Sequence, residues 1–455
     1  MKKFVSLILI AVLLLALFGC ANGSGAAGND QSPATELKVG YGRVNITPTG
    51  AVCLQGGNYK ERVSTDTLDY LYTTCIAIQD NRQTILLYTT DVKLMVGGFV
   101  QPLKAGISAA TGIPADNIFL HATHTHSGPA VRYDWDGSAA YLTEFTNNVI
   151  AAAKLAINDL TEVNGLSAGG VTTEKMAFCR HYLMEDGTYA GSNFGNLDQA
   201  VVNNARDADA ELQIVRIQRG NEKKDIILFS FGAHPTFNGS ITDTKLSADF
   251  PSPARTYIES NSNALSAFFI SGGGDQVTRS KIPGDSLVED RDGYKAYGEA
   301  MGKYIMDALP TLPQYAYDSL SFVNKEIAYP TNKAGLDKTE FNGPYEAQWI
   351  AKRKNLPENR SMVLRAIKLG DVGFVSAAYE MFGVNATYIR ENSPFDTTFV
   401  MSCGDGLTGQ ENSYISSIQG FSYNCYEAQV CYYAEGVAEQ AAKDFVTMLE
   451  ELKNQ

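Results

Sequence analysis

Between residues 37 and 455, short β-rich runs alternate with segments of helical spacing. Several of the runs stop abruptly at a residue able to bind metal or carry a proton. Residues 117–122 run into His121-Ala-Thr-His124-Thr-His126-Ser127-Gly128-Pro129, residues 226–231 deliver His234-Pro235, and residues 372–378 end at Tyr379-Glu380. Strands that end in this way predict an α/β fold of mixed β-sheets flanked by helices, with chemistry gathered at the strand ends.

Turn chemistry refines this. The runs 74–79 and 84–90 flank Asp80-Asn81-Arg82 and read as a hairpin. The pairs 211–218 with 225–231 and 362–369 with 372–378 read likewise. Residues 37–46 and 267–270 read as strands, the latter running into Ser271-Gly-Gly-Gly274-Asp275. Helical spacing marks 99–110, 141–160, 294–309 and 426–452. No Pro/Ser-rich linker, charge block or repeat interrupts 37–455, which predicts a single large catalytic domain.

The N-terminus reads as a processing signal. Lys2 and Lys3 precede an apolar run, 4–18, and Leu17-Phe18-Gly19-Cys20 has the pattern of a lipobox. Residues 1–19 are then a lipoprotein signal peptide with Cys20 as the lipidated residue. Residues 20–36, rich in small and polar residues, form a flexible tether. The expected location is the cell envelope of a bacterium, with the membrane as a partner through the lipid anchor. Removing residues 1–19 takes away two lysines and no acids, so the net charge moves from −13 to −15. A chain this acidic, with no basic cluster, predicts no nucleic-acid partner. The six cysteines beyond Cys20 contain no CxxC pair, and read equally as disulfides of an exported protein or as buried thiols.

Only five histidines occur, and three share one six-residue window. In an extended segment residues i and i+2 share a face, so His124 and His126 would point together and His121 away. A lone histidine is more often a core residue hydrogen-bonded to backbone, the reading given to His121. A pair at a strand end that Gly128-Pro129 cuts short reads as a site for metal or proton transfer. His234 and Glu380 also stand at the ends of apolar strands, where imidazole and carboxylate suit zinc.

These residues carry a resemblance. The chain resembles the catalytic domain of the neutral, non-lysosomal ceramidases over nearly all of 37–455. The matching pieces are Val39-Gly40-Tyr41-Gly42-Arg43-Val44-Asn45-Ile46-Thr47-Pro48, Thr111-Gly112-Ile113-Pro114, Ala122-Thr123-His124-Thr125-His126-Ser127-Gly128-Pro129, Ala233-His234-Pro235-Thr236, Ser247-Ala248-Asp249-Phe250-Pro251 and Gly274-Asp275. The resemblance implies one zinc per chain, held by His124, His234, Glu380 and a tyrosine. The family has a second tyrosine, directly before a glutamate, twelve residues after the ligand tyrosine. Tyr426-Glu427 matches that pair, and Tyr414 then matches the ligand. His126 matches the catalytic histidine, Tyr426 an active-site phenol and Arg180 a substrate-contacting arginine. The family's Gly-Asp-Val-Ser stretch appears here as Gly274-Asp275-Gln276-Val277, without the serine. Family members also carry an immunoglobulin-like domain after the catalytic one, whereas this chain closes on a helix. The resemblance thus implies zinc-dependent hydrolysis of an amide in a small N-acyl substrate, ceramide-like, possession of a lipid part being suited to a tethered enzyme. Two alternatives stay open at this level: hydrolysis of another ester or amide, and a solute-binding lipoprotein.

Overall fold

The computed structural model describes residues 36–56, 62–95, 97–132, 138–191, 194–240, 242–339, 344–406 and 414–455. Residues 1–35, read above as a lipoprotein signal peptide, Cys20 and most of a tether, lie outside these residues. No described helix is long and apolar enough to cross a membrane.

The largest sheet has nine strands. Along its path the order is Ala264–Ile270, Asp225–Phe231, Glu211–Arg219, Thr161–Thr172, Lys38–Asn45, Tyr72–Gln79, Thr84–Thr90 and Ile118–Ala122, with Gln314–Tyr315 added beside Thr161–Thr172. The pairs at both ends of the path are parallel, and those between are antiparallel. Only Lys38 and Val39 join the two halves, so the sheet curls. Side chains tie the curl: the Tyr41 hydroxyl donates to Ser266 O at 2.9 Å, and Thr89 Oγ1 donates to Phe268 O at 2.5 Å. This brings the ends of Ile118–Ala122 and Asp225–Phe231 together although they lie far apart in strand order.

Strand alternation divides the core. Leu86, Tyr88, Phe229 and Phe268 pack with the helices α1 (Gly97–Thr111), α2 (Ser138–Asn158), α3 (Pro251–Asn261) and α4 (Tyr294–Ala308). Leu87, Leu228 and Phe269 face the other way, onto Leu369, Phe374 and Phe399 of a second sheet. That sheet has four strands, Leu320–Pro330, Asn359–Leu369, Val372–Ala377 and Thr397–Met401. Its far side is covered by Ala386 and Ile389 of α6 (Gly383–Asn392) and by Ala441, Phe445 and Leu449 of α9 (Val437–Lys453). Helix α5 spans Pro344–Lys354, and the short helices α7 and α8 span Ile418–Ser422 and Tyr426–Val430. Mixed sheets with helices outside, expected from the sequence, are therefore present, as are all three hairpins.

Two local expectations are corrected. The single helix expected over 426–452 is two helices. The chain leaves helical geometry at Cys431, Thr331 bridges Tyr433, and Gly436 turns at φ 86° to start α9. The strand read over 117–122 is present as Ile118–Ala122, but the extended geometry expected of the histidine segment after it is absent, His124 being left-handed. Cys75, Cys179, Cys403, Cys425 and Cys431 are buried thiols, not disulfides.

Below the histidine loop sits a buried ion pair. Asp91, just past Thr84–Thr90, accepts two bonds from Arg255 of α3 at 2.9 and 2.7 Å and one from Tyr72 N at 2.9 Å. Asp91 is 0% exposed, so removing it strands a buried guanidinium. Asp91→Ala is expected to cost about 3–5 kcal/mol of unfolding free energy, read by urea denaturation. A loss below about 1 kcal/mol, the scale of exposed pairs, would show the pair to be solvated.

Candidate metal centre

The histidine loop is shaped by backbone bonds that take it out of the sheet. Thr123 N donates to Thr90 O and His124 N to Val92 O. His124 sits in the left-handed region at φ 67°. His124 and His126 therefore converge through a turn and not by strand alternation. Thr125 Oγ1 donates to Ser247 O at 2.7 Å, and Ser247 N donates to Ser127 O at 3.0 Å. The segment Ser247-Ala248-Asp249-Phe250-Pro251 is thus the floor beneath the loop.

His234 follows Phe231 in the same way, and the glycine run after Ile270 orients it. His234 Nδ1 lies 2.6 Å from Gly273 O and 3.1 Å from Gln276 O. A Cβ at Gly274 would stand 2.7 Å from Glu380 O, so only glycine lets this run approach the Glu380 strand. Glu380 in turn pairs with Tyr414 in a two-residue parallel ladder, Glu380–Met381 beside Tyr414–Ile415. The residues 407–413 before Tyr414 lie outside the described ones.

Four side chains meet at one point. Glu380 Oε2 is 3.1 Å from His124 Nε2 and 3.4 Å from His234 Nε2, and the Tyr414 hydroxyl is 3.4 Å from His234 Nε2. The tautomers follow from the far nitrogens. His124 Nδ1 faces Lys93 O at 3.0 Å and His234 Nδ1 faces Gly273 O, so each Nδ1 carries the hydrogen. Both neutral Nε2 atoms then present lone pairs, and the buried Glu380 Oε2 has no hydrogen-bond partner among the described residues. Acceptors gathered around acceptors, out of water, call for a cation between them. Two imidazoles, a carboxylate and a phenol form a donor set that suits zinc.

Electrostatics agree. Burial pushes the Glu380 carboxyl up, and positive charge or a donated hydrogen at His124 and His234, with the Lys93 charge, brings it well below the usual range; with both Nε2 atoms unprotonated, a cation would have to supply that charge. Burial and then Arg180 lower His234 to about 4, keeping it neutral. Burial and the Glu380 charge raise Tyr414 well above the ordinary phenol, so its phenolate needs a cation beside it.

His126 stands at the open side. Its Nε2 is 3.4 Å from His124 Nε2, and the ligand atoms of His124, His126 and His234 lie within 4.8 Å of one another. His124 and His234 are fully buried and His126 only partly. Burial, then Lys93, keeps it well below the usual histidine range and so neutral. Arg180 lies 5.3 Å over the Tyr414 ring, and Tyr426 meets that ring nearly edge-on at 6.0 Å between centroids. His121 is elsewhere, bonded to Ser376 Oγ at 2.9 Å and packed on Phe269. The seven residues singled out from the sequence thus lie together, and the one read as core lies apart.

Two solved structures share this architecture. Neutral ceramidase from Pseudomonas aeruginosa matches at a TM-score of 0.68 and 15% identity, over 92% of this chain and 75% of its own. A ceramidase in complex with C2 matches at 0.68 and 14%, over 92% and 76%. The fold is that of the neutral ceramidases. No protein-family profile matches the chain, and no curated protein matches it by sequence. Within this fold, the site also uses groups that the sequence reading missed. Lys93 orients His124 through its carbonyl and acts on His126 and Glu380 through its charge. Glu427, used only as a marker for Tyr426, is buried against Arg180 and His181. Only Glu427 carried a signal in the sequence, its adjacency to Tyr426; Lys93 nears His124 in space alone.

Proposed function

We propose that this protein is a zinc-dependent amidohydrolase that cleaves the amide bond of an N-acyl substrate, ceramide-like in its chemistry. The observation that carries the reading is the buried Glu380 oxygen facing two imidazole lone pairs and a phenol. His124, His234, Glu380 and Tyr414 would hold the ion. When bound, zinc supplies Lewis acidity for the carbonyl and lowers the pKa of water at the site towards about 7.

The other residues have separate tasks. His126, neutral and partly open, takes a proton from the attacking water and returns it to the leaving amine. Tyr426 keeps its proton and donates to the oxygen that gains charge. Arg180 offers its guanidinium to a polar part of the substrate. Purified protein from residue 37 onward is to be given N-acyl lipids, N-acyl amino acids and esters, with and without added zinc. Release of free fatty acid and amine from an N-acyl lipid, dependent on zinc, is expected. Cleavage of esters alone would replace this reading by that of an esterase, and binding without cleavage by that of a solute receptor.

The resemblance to a lipoprotein at the N-terminus supports a cell-envelope location, with the enzyme tethered through lipid on Cys20. Cys20→Ser is expected to leave an unprocessed precursor, seen as a larger band in membrane fractions. Normal release of a soluble mature form would point to ordinary secretory cleavage.

A further inference from the structure

Beneath the Tyr414 ring four side chains form a continuous chain of contacts. Glu427 is 1% exposed. Its Oε1 accepts from Arg180 Nε at 2.7 Å and also pairs with Arg180 Nη2. Its Oε2 faces His181 Nε2 at 2.8 Å, and His181 Nδ1 meets the Tyr423 hydroxyl at 2.7 Å. The Tyr423 ring stacks on Tyr189 at 4.6 Å.

This cluster is an ion-pair network, although His181, Cys425 and Glu427, and also Cys179, His181 and Asp275, are close enough to suggest metal ligands. Both His181 nitrogens are engaged, and Asp275 is paired with Arg206 and accepts from Gly383 N at 3.1 Å. Burial lowers His181, but Glu427 overrides it and pushes the imidazole up to about 10. His181 is therefore an imidazolium that donates from both nitrogens. Glu427 sits between two cations and stays ionised.

The consequence falls on Arg180. Glu427 Oε1 engages the Nε and Nη2 edge, and the guanidinium lies 5.3 Å over the Tyr414 ring. A guanidinium is a rigid fork, so fixing one edge aims the remaining donors. Resting on the function proposed above, we infer that Glu427, itself clamped by His181, is a positioning residue. It turns the free edge of Arg180 towards the metal-site side of Tyr414, where a substrate carbonyl or hydroxyl would be held.

The test is a double-mutant cycle on the zinc-loaded enzyme with a short-chain N-acyl lipid. E427Q keeps the volume and is expected to lower kcat/KM about tenfold or more, the scale of coupled neighbours, with zinc content unchanged. R180A/E427Q should be no slower than R180A alone. Additive losses, or E427Q within about twofold of the wild type, would overturn the inference. If E427Q does not fold, H181Q takes its place in the cycle, with the same outcomes. A second readout is independent of turnover. The Arg180 Nε–H resonance, assigned by its loss in R180K, should be a protected, slowly exchanging signal that E427Q abolishes. A signal unchanged in E427Q overturns the inference. If the wild type cleaves no N-acyl amide, the functional reading falls and the resonance alone decides the positioning.

Discussion

His124→Ala and His234→Ala should each strip the protein of zinc, reducing metal from one per chain to a small fraction after dialysis. Turnover should fall by several orders of magnitude, since zinc lowers the pKa of water from about 15.7 to about 7. The effect on stability is the sharper test. In the metal-free protein, Glu380 Oε2 faces two acceptor nitrogens at 3.1 and 3.4 Å. Removing one imidazole relieves that crowding, so the apo variant should not melt much below the apo wild type. Only the gain from added zinc should vanish, a gain of about 4 kcal/mol at a thousand times the Kd. Calorimetry with and without zinc reads this directly. A variant that keeps stoichiometric zinc would remove His124 or His234 from the ligand set. Stoichiometric calcium in the wild type would remove the site itself, because imidazole disfavours hard cations.

The fold was legible where periodicity and turn chemistry agree. The hairpin of 211–218 with 225–231 has apolar runs, charged ends and a polar turn, and the structure pairs the two strands antiparallel. Thr161–Thr172 was not legible. Gly165, Gly169 and Gly170 weaken the strand signal there, and no element was assigned to it, yet it is a twelve-residue strand paired with Glu211–Arg219. Gly170 leaves room there for the Glu211 side chain, whose Oε1 a Cβ would meet at 2.6 Å. Here pairing overrides propensity. The break between α8 and α9 was hidden for the opposite reason. The run after Tyr426 keeps its apolar spacing, and the break shows in the backbone, extended at Cys431 and left-handed at Gly436.

The site was legible as residue types and not as geometry. Histidines at strand ends announce chemistry, but alternation put His124 and His126 on one extended face, and the left-handed His124 turn brings them together instead. Tyr414 came from a twelve-residue spacing, whereas its place in space depends on a two-residue ladder with Glu380 that leaves no mark in composition. The second nitrogen of each buried histidine, bonded to Lys93 O or Gly273 O, is likewise set by backbone that any residue could supply.

His126→Ala is expected to separate metal binding from proton transfer. Zinc content should stay near one per chain while kcat falls about 100-fold or more, the usual scale for a general base. The argument rests on position. Two imidazoles, Glu380 and Tyr414 already complete a four-donor set, and His126 lies on the partly open side, its Nε2 3.4 Å from that of His124. At that distance it could still reach the metal, so loss of zinc in this variant would make His126 a ligand and require another base. Two tyrosine variants calibrate the result. Tyr414→Phe should weaken zinc affinity, because it removes a donor 3.4 Å from His234 Nε2. Tyr426→Phe should keep the metal and lower kcat about 100-fold or more, as loss of an oxyanion donor does. If His126→Ala and Tyr426→Phe both keep zinc and lose turnover while Tyr414→Phe loses zinc, the ring of acceptors is the metal site and the open-side groups do the chemistry on it.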